Sequence, residues 1–349
     1  MLRELQNGAL DIVGDIHGEI DAVRNLLKVL GYDAHGKHPG GRSLVFVGDL
    51  VDRGPDSPAV VRLVRQLVDA GRAQAILGNH ELNILRGERK QGNDWFWSEG
   101  SPRDLKFSPF ENASITERDD MLRFFESLPI ALSRDDLRIC HAAWHEPSLT
   151  ALSGGTGGGS IAELFDVMEE RAEKILRNDG WHERAEEEKS AWAHLFATAD
   201  VDMPMLHALG KCDEIRQMDN PLRVLTSGIE RKAELPFFTS GQWRFSERQC
   251  WWDEYRDDVP VVVGHFWRQY LPMGRAELGK GDPYLFEGVA PNAWLGTGGR
   301  VFCVDYSVGG RYAERNAGNA GARTRLAALR WPERELMFEC GERVATQGF

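Results

Sequence analysis

Five times along this 349-residue chain a short apolar run stops abruptly, and a carboxylate, an amide or an imidazole follows within a residue or two. The stretches are GDIHG (14–18) after ALDIV, GDLVDRG (48–54) after SLVFV, GNHE (78–81) after AQAIL, CHAAWH (140–145) after LRIC, and VGHF (263–266) after PVVV. An apolar run of that length, bounded by glycine, reads as a buried strand. Parallel strands of one sheet align their C-terminal ends along one edge, so polar residues at those ends converge from distant parts of the sequence. Asp15, His17, Asp49, Asn79, His141 and His265 are therefore expected to meet, although 250 residues separate the first from the last. His145 competes with His141 for the fourth strand end.

The intervening segments carry a helical period. Ile20, Val23, Leu26, Leu27 and Leu30 recur at spacings of three and four, with Glu19 and Asp21 in the opening turn and Gly31 as the stop signal. After Pro55, SPAVVRLVRQLVDAG sets Val60, Val64, Leu67 and Val68 on one face and ends at Gly71. The N-terminal third thus reads βαβαβ. Strands are expected again at 137–140, 260–263 and 300–304, and helices around 117–127, 161–177 and 183–196. These later strands lack short helical crossovers, which favours an α/β (α+β) chain with a mixed or two-sheet core over a plain doubly wound sheet. SGGTGGGS (153–160) reads as a flexible loop, and ERAEEEK (183–189) as a solvated helix face.

Composition narrows the chemistry. A hydrophobic fraction of 42% suffices for a sizeable core. A net charge of -12 opposes general nucleic-acid binding, which needs concentrated Lys and Arg, so any phosphate must be held locally, with metal as the natural means. The five cysteines include no close C-x-x-C pair, and Cys140 and Cys303 sit in apolar runs that read as core. No apolar run approaches the roughly 20 residues needed to span a bilayer, so a cytoplasmic protein without a membrane partner is expected. The sequence leaves the oligomeric state open.

Carboxylate, imidazole and amide oxygen suit divalent ions such as Mn, Fe, Zn or Co, with nothing soft on offer. A carboxylate shared between two ions about 3.5–4 Å apart would let them act together on a phosphoryl group. The blocks GDIHG, GDLVDRGP and GNHE, in this order and with 34 residues from Asp15 to Asp49 and 30 from Asp49 to Asn79, resemble the phosphoprotein phosphatase branch of the calcineurin-like metallophosphoesterases. That resemblance implies a four-layer fold, a central β-sandwich flanked by helices. It implies two metal ions, manganese first among the candidates, with Asp15, His17 and Asp49 holding one, and Asp49, Asn79, His141 and His265 the other. It further implies in-line attack on phosphorus by a metal-bridging hydroxide, with Arg53 gripping a phosphate oxygen and His80, oriented by Asp52, protonating the leaving group. A second phosphate-binding arginine is expected between His141 and His265, and Arg231 or Arg223 is the candidate.

LGNHELNIL (77–85), LRVLTSGIERK (222–232), WWDEY…VVVGHF (251–266) and TRLAALRWPERELMF (324–338) are similar to the symmetrical bis(5'-nucleosyl)-tetraphosphatases. This directs the substrate expectation to a dinucleoside polyphosphate or related nucleotide. GDLVDRGP with GNHE keeps a Ser/Thr or dual-specificity phosphoprotein phosphatase as the alternative, and a non-catalytic binding scaffold as the distant one. The chain is expected to be one metallophosphoesterase domain with insertions at 88–115, 153–160 and 306–322. Asp305, after a buried strand, supports the site or merely serves a turn. The tryptophans of WFW (95–97), QWRF (242–245) and WW (251–252) stack a base, line a cleft or pack in the core.

Overall fold

The computed structural model describes residues 1–98, 100–153, 159–239, 241–271 and 284–349. Its strands are β1 (Leu2–Glu4), β2 (Leu10–Val13), β3 (Ser43–Phe46), β4 (Ala73–Ala75), β5 (Ala131–Arg134), β6 (Leu137–Cys140), β7 (Glu230–Thr239), β8 (Gln242–Arg248), β9 (Val261–Val263), β10 (Val301–Cys303), β11 (Ala327–Trp331), β12 (Glu335–Phe338) and β13 (Arg343–Ala345). They form a six-stranded sheet in the order β13-β12-β11-β2-β3-β4, a five-stranded sheet in the order β1-β5-β6-β9-β10, and the hairpin β7-β8. The described chain is mixed α/β and divides into two compact units, one of Met1–Trp144, Trp252–Pro272 and Val289–Phe349, the other of His145–Trp251 and Met273–Gly288.

Period-two geometry explains the first unit. Leu10, Ile12 and Val45 share one core with Leu137, Ile139, Val262 and Phe302 of the other sheet, so the two sheets pack face to face. The alternate residues Asp11, Val13, Leu44 and Phe46 are also buried. Helices α1 (Ile20–Leu30) and α2 (Ser57–Asp69) connect β2, β3 and β4, which pair in parallel. Gly31, left-handed at φ 95°, closes α1 by donating to the Leu27 and Lys28 carbonyls. Asp56 caps α2 by accepting from the Ala59 N–H at 2.8 Å. The C-terminal strands β11 to β13 add antiparallel beside β2.

The strand ends therefore do not share one sheet edge. The ends of β2, β3 and β4 belong to the six-stranded sheet, and those of β6 and β9 to the five-stranded one. The reason lies in the burial of both faces of β2 and β3, which need a second apolar layer, and β6, β9 and β10 supply it.

The second unit is mainly helical, with α4 (Ile161–Asn178), α5 (Trp181–Trp192) and α6 (His207–Met218) packed through Ala172, Leu176, Ala185, Ala208, Cys212 and Ile215. Ser160 and Glu163 form a capping box that starts α4. Most of the glycine-rich stretch expected to be a loop, 154–158, lies outside the described residues. Among the described residues, no helix is long and apolar enough to cross a membrane.

One polar residue interrupts the apolar pattern of ALDIV. Asp11 is fully buried in β2, where it accepts from Arg42 Nε at 3.0 Å, Arg330 Nε at 3.2 Å and the Tyr32 hydroxyl at 2.8 Å. Removing its charge leaves two guanidinium groups short of a buried counter-ion. D11N is expected to lower the unfolding free energy by about 2–4 kcal/mol in urea titration. E333Q, which acts on the half-exposed partner of the same Arg42, is expected to cost under about 1 kcal/mol.

Candidate metal centre

The turns after β2 and β3 are built as one object. The N–H groups of Ile16 and His17 donate to the Asp49 carbonyl at 3.0 and 2.9 Å, and the Gly18 N–H donates to the Leu50 carbonyl at 2.8 Å. Glu81, fully buried in α3 (Asn79–Leu85), locks the second turn to the third. Its carboxylate accepts from the N–H groups of Asp49 at 2.9 Å, Leu50 at 2.8 Å, Val51 at 3.3 Å and Gly78 at 3.0 Å. At Gly78 a Cβ would stand 2.3 Å from the Asp49 backbone nitrogen, so only glycine allows this approach.

These turns hold strained backbone. His17, Asp49, Asp52, Arg53 and His265 all have φ between 48° and 76°. Left-handed conformations of non-glycine residues cost on the order of 1–3 kcal/mol each and persist where their surroundings over-determine them. Here the sequence-predicted residues themselves carry the strain.

Their side chains converge on Asp49. His141 Nε2 lies 3.3 Å from Asp49 Oδ1, while His17 Nε2 and His80 Nε2 lie 3.8 and 3.9 Å from Oδ2. Asn79 Oδ1 is 3.2 Å from His141 Nε2 and 2.9 Å from His265 Nδ1. The His265 N–H donates to both Asp15 oxygens, at 3.2 and 3.0 Å. Two three-residue groups have ligand atoms within 4.8 Å of one another: His17, Asp49 and His80, and Asp49, His141 and His265. His80 Nδ1 meets Asp52 Oδ2 at 2.5 Å. Arg53 stacks over Trp267 with its guanidinium carbon 4.8 Å from the ring centroid, and its buried Nη1 makes no hydrogen bond among the described residues.

Residues left open by the sequence find places too. Asp305, buried after β10, accepts from the Trp267 and Ser307 N–H groups at 2.7 and 2.8 Å, which pins the loop that carries His265. Of the two histidines in CHAAWH, His141 lies in the cluster, and the His145 ring bonds Ser148 Oγ at 2.7 Å within the second unit. Arg231 and Arg223 also belong to the second unit, where they pair with Glu214 at 3.7 Å and Glu169 at 2.6 Å. Sequence reasoning missed Gly309, at which a Cβ would meet His17 Cδ2 at 2.4 Å and Arg53 Nη1 at 3.0 Å. It lies within 306–322, expected to be an insertion, and the pair Gly309-Gly310 was the available signal.

A family model described as calcineurin-like phosphoesterase matches residues 9–299. The chain belongs to the calcineurin-like phosphoesterases. Relatives include the asymmetrical bis(5'-nucleosyl)-tetraphosphatase of Bacillus velezensis, 35% identical over 38% of this chain and 56% of its own. The symmetrical enzyme of that name from Ralstonia nicotianae is 30% identical over 48% of this chain and 50% of its own. The asymmetrical enzyme of Oceanobacillus iheyensis is 47% identical over 22% of this chain and 32% of its own. The chain thus spans between a third and a little over half the length of these curated relatives. Among solved structures, a cold-active protein-tyrosine phosphatase from a Shewanella species aligns over 99% of this chain and 82% of its own at 15% identity, TM-score 0.47. A protein serine/threonine phosphatase from Saccharomyces cerevisiae aligns over 98% and 81% at 14% identity, TM-score 0.43.

Membership of this family implies divalent metal ions. The residues fit them. His17 Nδ1 donates to the Val51 carbonyl at 3.0 Å, since a carbonyl only accepts. That leaves Nε2, buried and without a hydrogen bond among the described residues, facing the Asp49 carboxylate. A lone pair aimed at an anion across 3.8 Å is the arrangement a cation between them would satisfy. His141 repeats the pattern, with Nδ1 on the Val47 carbonyl at 2.7 Å and Nε2 toward Asp49 and Asn79.

Crowding shifts the protonation of these groups in opposite directions. Burial, then Asp305 and Asp49, push Asp15 well above the usual carboxylate range. Burial works against the charge of Asp49, yet the His141 and His80 imidazoles hold it well below that range. Burial also opposes a charged His141, but Asp49 raises it to about 10. Burial and then Arg53 lower His17, favouring the neutral ring that binds metal. Burial, then the charge of Asp49, push Glu81 up to about 7.

A glutamine at position 81 would present one oxygen and one NH2 to four N–H donors. E81Q is expected to destabilise the fold by about 2–4 kcal/mol, seen as a lower urea midpoint at unchanged slope. An unchanged midpoint would show that the carboxylate does not hold the two turns together.

Proposed function

We propose that the chain is a dinuclear metal-dependent phosphohydrolase whose substrate is a dinucleoside polyphosphate or a related nucleotide. The observation that carries the dinuclear reading is the single buried carboxylate, Asp49, with ring nitrogens of His17 and His141 aimed at its two different oxygens. In this reading Asp15, His17 and Asp49 hold one ion, and Asp49, Asn79, His141 and His265 the other, with manganese the first candidate. Two divalent ions would supply charge neutralisation and the activation of water at neutral pH.

The side chains do the rest. Arg53 offers a guanidinium edge with an uncommitted buried N–H to a phosphate oxygen. Its contact with the Trp267 ring face, 4.8 Å from guanidinium carbon to centroid, restricts its approach. His80 presents Nε2 to the departing oxygen as its proton donor, while Asp52 fixes the ring through Nδ1. The nucleotide preference is supported by the names of the relatives, both asymmetrical and symmetrical tetraphosphatases.

With manganese present, kcat/KM is expected to be highest for dinucleoside polyphosphates in a panel that also holds mononucleotides and phosphoserine and phosphotyrosine peptides. Faster peptide hydrolysis would transfer the assignment to a phosphoprotein phosphatase. On any accepted substrate D49N is expected to abolish turnover, and H80N to lower kcat by about 10²–10⁴. An H80N variant as fast as its parent would remove His80 from the proton-donor role.

A further inference from the structure

Gly92 and Trp95, within the stretch 88–115 expected from sequence to be an insertion, contact the turn that carries Asp52 and Arg53. Trp95, only 2% exposed, donates from its indole Nε1 to Asp52 Oδ1 at 2.6 Å. Asp52 is itself fully buried, and its other oxygen is the one that meets His80 Nδ1. The segment also holds the neighbouring backbone. The Gly92 carbonyl accepts from the Arg53 N–H at 3.0 Å, and Asp104, buried beneath, accepts from the N–H groups of Gly92 and Asp94 at 2.8 and 3.0 Å. Asp52 and Arg53 are two consecutive left-handed residues, φ 76° and 69°, and these bonds with the Ser57 Oγ contact to the Asp52 N–H at 2.9 Å over-determine them.

We propose that Trp95 is a positioning residue of the hydrolytic reaction: its indole N–H fixes the plane of the Asp52 carboxylate and, through it, the orientation of His80. The proposal rests on the reading of His80 as proton donor. An indole nitrogen can only donate, so Trp95 commits Oδ1 as an acceptor and leaves Oδ2 for His80 Nδ1–H. The carboxylate torsion of aspartate is soft, so hydrogen bonds rather than rotamer wells must set its plane. Without the indole donor, Oδ1 is a buried oxygen with no partner, and the carboxylate turns to share its remaining donors. The imidazole then loses the alignment that aims Nε2 at the leaving oxygen. Trp95 touches neither substrate nor metal in this account.

The test is a cycle of W95F, H80N and the double variant, assayed on phenyl phosphate and p-nitrophenyl phosphate with manganese. Phenoxide is the more basic leaving group and depends more on protonation. W95F is expected to lower kcat on phenyl phosphate about tenfold, to lower it less on the nitrophenyl ester, and to leave KM within about twofold. In the H80N background the same change is expected to cost less than about twofold, because the group it positions is gone. W95H, which keeps a ring N–H, serves as the second variant and retains the parental ratio of the two rates. An equal loss on both esters, or an undiminished loss in the H80N background, overturns the role, as does a W95H ratio shifted as far as that of W95F. A parent inactive on both esters contradicts the hydrolase reading itself, and the role with it.

Discussion

The carboxylate of Glu81, buried and bound to four backbone N–H groups, is the contact on which the site depends. It ties the first turn of α3 to the turn after β3, and so it sets Asn79 and His80 against Asp49. The Asp49 carbonyl in turn receives the N–H groups of Ile16 and His17, which brings in the turn after β2. Three strand ends are thus tied together by hydrogen bonds among their backbones and to the Glu81 carboxylate, before any side chain meets a metal. These bonds let Asp49, Asp52 and Arg53 stay in conformations that a free turn would abandon.

The second sheet completes the charge arrangement. His141 and His265 arrive from β6 and β9, and Asp305, after β10, clamps the His265 loop by accepting the Trp267 N–H at its carboxylate and the Arg268 N–H at its carbonyl. The result is a buried group of carboxylates in which Asp15 is pushed well above its ordinary range by burial and by its neighbours. A protein interior does not tolerate such a group without compensation. Imidazole lone pairs face the same carboxylates rather than donating to them at His17, so cations are the compensation the geometry asks for.

Much of this was legible in the sequence because strands and their polar ends are local signals. The runs ALDIV, SLVFV and LRIC and the helix faces of α1 and α2 appear close to where they were expected. The two-sheet division of the strand ends was not readable from one-dimensional order, since a buried parallel strand looks the same whichever sheet it joins. The strands β11 to β13 and the β7-β8 hairpin were missed because charged residues break their alternation, as in Arg330, Glu335 and Arg343. Trp95 could be read only as an aromatic that stacks a base, lines a cleft or packs in the core, because its hydrogen bond to Asp52 spans 43 residues. Gly309 had no signal beyond its doublet, since its role is the absence of a side chain against His17.

In the proposed dinuclear centre one carboxylate, Asp49, couples two metal ions. Electron paramagnetic resonance of the protein loaded with manganese reads that coupling. Two ions per chain and the spectrum of an exchange-coupled pair are expected. Saturation at a single ion, or the signal of isolated manganese at any loading, would contradict the coupling.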